Sequence, residues 1–163
     1  MPVLRPLLDA DVEEIRGWPA YPTDMAQMDY ALRKGGWLEE CRSRPDVSVY
    51  AVEDGDGLIA FTILAKTGTA EAEFRIALRA DKTGVGLGEG ITAQTLVIGF
   101  EEHRFSRIHL IARKNNRRGI GLYRRIGFVE QGECRKDIQG TPVDFLVMDI
   151  HRKEFITRRR EKP

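Results

Sequence analysis

Residues 71–92 read EAEFRIALRADKTGVGLGEGIT, and the junction inside them decides the fold. The first eight alternate, with Phe74, Ile76 and Leu78 on one face of a strand and Glu73, Arg75 and Ala77 on the other. Gly84, Gly86, Gly88 and Gly90 follow at every second position. Glycine weakens helices and strands alike, so four at one junction require a physical cause. Downstream, Ala93, Leu96, Val97 and Phe100 recur at i, i+3, i+4 and i+7, which predicts a helix. The first amides of that helix have no internal partner and carry the positive end of its dipole. Glycines let those N–H groups turn toward an anion, so phosphate is the natural ligand. A dinucleotide fingerprint fails because Glu89 stands where its third glycine belongs, and no Gly-Lys-Ser/Thr follows to make a nucleotide P-loop. The bland alternative is a tight strand-to-helix turn, for which two glycines would suffice.

Outward from this junction, VLRPL (3–7) reads as a strand and DADVEEIRGW (9–18) as a helix that Asp9 or Asp11 can cap. PTDMAQMDYALRKGG (22–36) predicts a second helix, with Met25, Met28 and Leu32 on one face and Gly35-Gly36 ending it. DVSVYAVED (46–54) and GLIAFTILAK (57–66) form a hairpin pattern across EDGDG. RIHLIARK (107–114) reads as a strand, and RRGIGLYRRIG (117–127) as a short helix weakened by Gly119 and Gly121. FVEQGECRKDI (128–138) and PVDFLVMDIH (142–151) suggest a closing hairpin around QGTP. Three consecutive strands argue for antiparallel hairpins within a mixed α/β or α+β layout.

The chain has 163 residues, 42% hydrophobic and 31% charged, which fits one globular domain over 1–163 with 152–163 as a solvated, frayed basic tail. Lys plus Arg number 26 against 25 Asp plus Glu, so no general attraction to nucleic acid or membrane is implied. Cys41 and Cys134 have neither a disulfide-framework pattern nor metal-pair spacing, and His103, His109 and His151 form no zinc motif; no metal is implied. No apolar run approaches a membrane span, and the N-terminus turns acidic too soon for a signal peptide, so the cytoplasm is the default location.

The ordered set AEF (72–74), GVG (84–86), RI (107–108), Asn116, LY (122–123) and GF (127–128) resembles the GNAT superfamily of acetyl-CoA-dependent N-acetyltransferases. VLRPLLDADVEEI near the start and PVDFLVMDI near the end extend the likeness over nearly the whole chain. It is most similar to the ribosomal-protein N-terminal acetyltransferases and the spermidine acetyltransferases. The resemblance implies a GNAT-like acyl-CoA N-acyltransferase fold, a mixed central sheet of about seven strands flanked by about four helices. It also implies that Thr83, Gly84, Val85, Gly86, Leu87, Gly88 and Glu89 wrap the coenzyme A pyrophosphate with their amides. Ile76, Ala77 and Leu78 would pair with the pantetheine arm like an added strand, freed by a bulge, and Asn116 would contact the arm. Thr83 and Val85 depart from the family, which favours Arg or Gln at the first and a basic residue at the second, leaving Lys82 or Arg79 to supply charge. Gly119 departs too, standing where the family favours Ala or Ser.

Acyl transfer from a thioester needs a neutral amine, a polarised carbonyl and a stabilised thiolate. By resemblance, Tyr123 serves the thiolate. A phenol near pKa 10 is a weaker acid than a thiol near 8.5, so Tyr123 is better pictured as a hydrogen-bond donor than as a full proton donor. Its bland reading is a core tyrosine packed beside Phe128. A backbone N–H around Ala77 or Leu78 would polarise the carbonyl. Glu73 matches the family's glutamate and is the candidate base, with Glu71 the competitor and a solvated strand carboxylate the bland alternative.

A primary alkylamine near pKa 10.4 costs about 4 kcal/mol to deprotonate at neutral pH, a peptide α-amine only about 1 kcal/mol. The resemblance implies a primary-amine acceptor, with a protein N-terminus and a polyamine leading and amino sugars or aminoglycosides as alternatives; a non-catalytic acyl-CoA-binding module is the competing class. In the family the first two helices wall the acceptor, and here they carry Asp9, Asp11, Glu13, Glu14, Asp24 and Asp29 with Trp18, Tyr21, Tyr30 and Trp37. Acids at helix starts also serve as caps, the weightier reading. Family members are often dimers, and the chain's own pattern establishes no oligomer.

Overall fold

A computed structural model describes residues 2–22, 31–32, 36–41 and 44–161. Seven strands form one mixed sheet in the order β1-β2-β3-β4-β5-β7-β6. Two compact units divide it: Met1–Lys66 with Arg75–Thr95, and Thr67–Phe74 with Leu96–Pro163.

The first unit begins with β1 (Val3–Pro6) and α1 (Asp9–Arg16). Val12 and Ile15 of α1 are buried, at the spacing that puts them on one helical face. The helix has no side-chain cap at Leu8; Asp11 instead reaches back and accepts from the Leu8 N–H at 2.7 Å. That is half of a capping box, with an acid in the favourable first turn. The expected helix over 22–36 lies mostly outside the described residues, including Met25 and Met28; Leu32 is buried. Gly36 precedes a short helix, α2 (Trp37–Cys41), which the sequence pattern did not predict.

β2 (Val47–Asp54) pairs antiparallel with β1 and with β3 (Gly57–Gly68), the hairpin that EDGDG suggested. Every residue of β3 from Leu58 to Ala65 is buried. A strand covered on both faces reads as a continuous apolar run, as this one does. On one face Phe61, Ile63 and Ala77 pack with Val12, Ile15, Trp18 and Leu38. On the other, Ile59 and Ala60 pack with Ile91 of α3 (Leu87–Val97), joined by Ile76, Leu78 and Leu87. The alternation expected for this end of β4 (Glu71–Leu78) therefore holds.

In the second unit the start of β4 lies parallel to β5 (Arg107–Arg113), through Glu71↔Arg107, Ala72↔Ile108 and Glu73↔His109. That ladder ends at Glu73 among the described residues. α3 runs on into one wider π turn, Ile98–Glu102. α4 (Arg117–Ile126) follows β5 and ends at Gly127, whose φ of 126° lies in the region that favours glycine. β6 (Val129–Ile138) and β7 (Thr141–His151) form the predicted hairpin, and β7 also pairs antiparallel with β5.

The segment expected as a frayed basic tail is instead helix α5 (Arg152–Glu161). Phe155 anchors it, 4% exposed, with its ring 5.3 Å from that of Phe100. Arg158 adds a hydrogen bond to the Arg125 carbonyl at 3.0 Å, satisfying an acceptor at the end of α4. One buried ring and one cap outweigh the fraying tendency of a terminal basic run.

Candidate functional site

The glycine turn belongs to the first unit. After β4 a single 3₁₀ turn, Ala80–Lys82, sets the chain on its way, and the Thr83 hydroxyl donates to the Ala80 carbonyl at 2.8 Å. Gly84 and Gly86 then adopt φ of 73° and 86°, which side-chain-bearing residues rarely do. α3 starts immediately at Leu87. Among the described residues, the N–H groups of Gly84, Val85 and Gly86 have no protein acceptor. Those of Leu87 and Gly88 begin a helix and so point out of its N-terminus. A Cβ added at Gly86 or Gly90 would meet nothing within 4 Å, so the backbone there is open to close approach. A diphosphate fits these amides.

Charge at the turn is arranged differently from the sequence expectation. Lys82 bonds to Asp56 and lies 3.7 Å from Asp54. Its amine is held above its ordinary range, first by the Asp56 hydrogen bond. Arg79 is clamped to Asp81, Nε to Oδ1 at 2.6 Å, and also donates to the Leu58 carbonyl. Both cations expected to supply charge to a phosphate are therefore already paired. Asp54 and Asp56 are too distant in sequence from Lys82 for local patterns to reveal this.

Next to the turn, the far end of β4 offers backbone groups. The Arg79 N–H donates to the Ile59 carbonyl at 2.7 Å, toward β3. Neighbouring strand residues direct their polar groups to opposite edges, so Leu78, and Ile76 two before it, face away from β3. The Tyr21 hydroxyl donates to the Leu78 carbonyl there. Ile76 and Leu78 thus turn their backbone to the far edge, where the Leu78 carbonyl is already taken by Tyr21, whereas Ala77, 3% exposed, packs into the core.

The second unit holds the remaining candidates. Tyr123 lies on α4, its ring edge-on to Phe74 and to Phe128. Burial pushes its phenol up to about 12. The bland reading, a packed tyrosine beside Phe128, is thus true of its ring, while the hydroxyl stays a donor. Asn116 is the N-cap of α4, its Oδ1 accepting from the Gly119 N–H at 3.1 Å. Glu73 is half-buried at the last rung of the β4–β5 ladder, beside His109. Its competitor Glu71 receives the Arg107 guanidinium at 3.1 Å, and Arg107 also grips buried Asp149 at 2.7 Å.

Among the expected acceptor-wall residues, Asp11 is committed to Arg5 through contacts of 2.7 and 2.8 Å, so the capping role prevails there. Arg75 sits over Trp37, 5.5 Å from the ring centroid, and pairs with Glu40. Asp24, Asp29 and Tyr30 lie outside the described residues. Sequence reasoning missed the 2.9 Å hydrogen bond between Thr67 and His109, because only strand pairing brings the two together; His109 is the rung opposite Glu73. Among the described residues no three His, Cys, Asp or Glu are grouped to hold a metal ion. No described helix is long and apolar enough to cross a membrane.

Solved structures share this architecture. The spermidine N-acetyltransferase from Vibrio cholerae in complex with CoA and spermine matches with a TM-score of 0.78 at 21% identity, covering 95% of this chain and 98% of that one. Mutant forms of the spermidine/spermine N-acetyltransferase SpeG from the same organism give 0.77 at 22%, covering 97% and 99%. A dodecameric form of the Vibrio cholerae enzyme gives 0.75 at 22%, covering 96% and 97%. At such identities the likeness is one of fold. The sequence profile of the acetyltransferase (GNAT) domain matches residues 3–129, most of the chain. With its glycine turn, its α3 start and that profile match, the chain belongs to the GNAT acetyltransferase family.

Proposed function

We propose that this GNAT acetyltransferase moves the acetyl group of acetyl-CoA directly onto a primary amine in the cytoplasm, with a polyamine as the leading acceptor. The observation that carries the reading is the left-handed Gly84 and Gly86 turn, which leaves its amides without protein acceptors at the start of α3. Thr83, Gly84, Val85, Gly86, Leu87, Gly88 and Glu89 bind the pyrophosphate of the cosubstrate. Ile76 and Leu78 pair with the pantetheine arm through backbone groups, and Ala77 holds that strand in register by packing beneath it. Asn116 contacts the arm through its amide while its Oδ1 caps α4.

Glu73 accepts the proton that the ammonium must lose, directly or through water. The amine nitrogen attacks the thioester carbonyl, whose oxygen draws a hydrogen bond from a β4 N–H. The C–S bond breaks, the second proton that the nitrogen sheds ends on the departing sulfur to give the free thiol, and Tyr123 donates a hydrogen bond to that sulfur as it leaves. The polyamine preference is supported by the spermine and CoA complex of the fold neighbour. A protein N-terminus is the second acceptor, since its amine needs about 3 kcal/mol less from any base.

Thiol release from acetyl-CoA, measured with spermidine, spermine, an N-terminal peptide and an aminoglycoside, tests the reading. Turnover highest on a polyamine is the expected result. Turnover on the peptide alone reassigns the acceptor, and acetyl-CoA binding without turnover on any amine makes the chain a binding module.

A further inference from the structure

We propose that Tyr21 sets the affinity of the cosubstrate at β4: its hydroxyl holds the strand-edge carbonyl that the pantetheine arm takes, so the arm binds by displacing it. This rests on the reading of Ile76 and Leu78 given above, and it brings a residue from the start of the chain into the cosubstrate site.

The direction of the carbonyl is the first support. Across a trans peptide the C=O of one residue and the N–H of the next point opposite ways. The Arg79 N–H donates to the Ile59 carbonyl of β3, so the Leu78 C=O points to the other edge of β4. Pairing of β4 with β5 ends at Glu73 among the described residues, which leaves no ladder partner for that carbonyl. The Tyr21 hydroxyl donates to it instead.

The second support is how firmly the tyrosine is placed. It lies in WPAYP (18–22), just after α1 has ended at Gly17. Pro19 fixes its own φ, and Pro22 biases Tyr21 toward extended backbone, so few local conformations compete. The residue is 7% exposed and packs in the cluster of Trp18, Leu38, Phe61 and Ala77. That apolar cluster holds the ring on the Ala77 side of the strand while the hydroxyl reaches the edge.

A bare structural account is that the hydroxyl satisfies a carbonyl that would otherwise be orphaned. The chemistry of the arm goes further. Pantetheine carries amide N–H groups, and strand-like pairing aims such a donor at a strand-edge carbonyl. At Leu78 that acceptor is already engaged. Displacement exchanges one hydrogen bond for another at the carbonyl and turns the phenol away from its acceptor, beside a largely apolar cluster. The penalty falls on the arm alone, because the amides of Gly84 to Gly86 meet a diphosphate whether or not an arm is attached to it.

The test is calorimetric titration of coenzyme A, and of its nucleotide half 3′-phospho-ADP, into the wild type and Tyr21→Phe. The variant keeps the ring and deletes the donor. Coenzyme A is expected to bind the variant about three- to tenfold more tightly than the wild type, the worth of one hydrogen bond that no longer has to be broken. The nucleotide half binds both proteins alike. Unchanged coenzyme A affinity means that the carbonyl serves both donors at once, and weakened affinity makes Tyr21 a clamp that shapes β4; either overturns the proposal. Equal gains for the two ligands overturn it too, since the effect then does not act through the arm. A wild type that binds neither ligand overturns the cosubstrate reading instead. Should Tyr21→Phe fail to fold by circular dichroism, Tyr21→Leu, which also lacks the hydroxyl, takes its place and the same comparison decides.

Discussion

The ring of Tyr123 stands edge-on to that of Phe74, with centroids 6.4 Å apart and planes at 84°. Phe128 contacts it as well, at 5.6 Å and 67°. Two aromatic neighbours grip the apolar body of the phenol and leave its hydroxyl as the chemical end. With its titration pushed up to about 12, the hydroxyl carries its proton throughout any practical assay range. Tyr123→Phe keeps the ring contacts and deletes the donor. Turnover is expected to fall about 100-fold, with coenzyme A affinity within about twofold and the thermal midpoint nearly unchanged. Single-turnover thiol release and calorimetric titration of coenzyme A check this. A collapse of coenzyme affinity would make Tyr123 a structural residue.

Asp11 supplies a stability prediction. Its carboxylate accepts two bonds from Arg5 and one from the Leu8 N–H, and its titration is lowered, first by Arg5 and also by that backbone bond. A carboxyl depressed on folding contributes stability that is present above its unfolded value, near 3.9, and disappears as the pH falls through the folded one. Asp11→Asn is expected to cost about 1–3 kcal/mol at pH 7, because Arg5 loses the charge of its best-buried partner and, among the described residues, keeps exposed Glu53 and the Pro6 carbonyl. Urea unfolding of both proteins at pH 7 and at pH 2.5 measures it, and the gap should narrow at the lower pH.

Much of this was legible in residue order, for reasons tied to local physics. The glycine alternation at 84–90 reports a backbone need that no side chain masks, and the structure meets it with two left-handed residues. β3 was legible because burial on both faces leaves an uninterrupted apolar run. α5 was not, because a single anchoring ring, Phe155, makes no periodicity within HRKEFITRRR. α2, five residues long, is too short for a periodic signal. At the candidate site, Tyr123, Glu73 and the turn came from an ordered motif. The ion-pair partners did not: Asp56 for Lys82 and Arg107 for Glu71 are fixed by loop placement and strand pairing.

Gly119 and Asn116 form a coupled pair. A Cβ at position 119 would lie 2.5 Å from Asn116 Nδ2 and 2.9 Å from its Cγ, so the glycine lets the asparagine fold over the first turn of α4. Gly119→Ala gains about 1 kcal/mol of helix propensity and loses a cap of similar worth, leaving stability nearly unchanged. Asn116→Ala alone loses about 1 kcal/mol. In the Gly119→Ala background that second substitution should cost almost nothing, a coupling of about 1 kcal/mol in a double-mutant cycle read by thermal unfolding. Additive costs would mean that the asparagine side chain moves aside and caps from a new rotamer.

Lys82 and Asp56 supply the last prediction. In the family a basic side chain commonly stands in the turn itself; here Thr83 and Val85 stand there, and Lys82 is drawn off by Asp56 with Asp54 behind it. On the proposed reading the phosphate grip rests on amide dipoles, whose attraction to an anion depends little on ionic strength at contact range. Asp56→Asn removes one of the two carboxylates holding Lys82 and returns part of its charge to the turn's surroundings. Acetyl-CoA KM is expected to fall about two- to fivefold at 20 mM salt, with most of the gain lost at 300 mM, as an exposed charge interaction requires. Lys82→Met in the wild-type background, by contrast, should barely alter that KM, because the amine is already spoken for. If Asp56→Asn instead weakens acetyl-CoA binding at both salt concentrations, the Lys82 pair serves to hold the turn's shape, and its charge was never withheld from the phosphate.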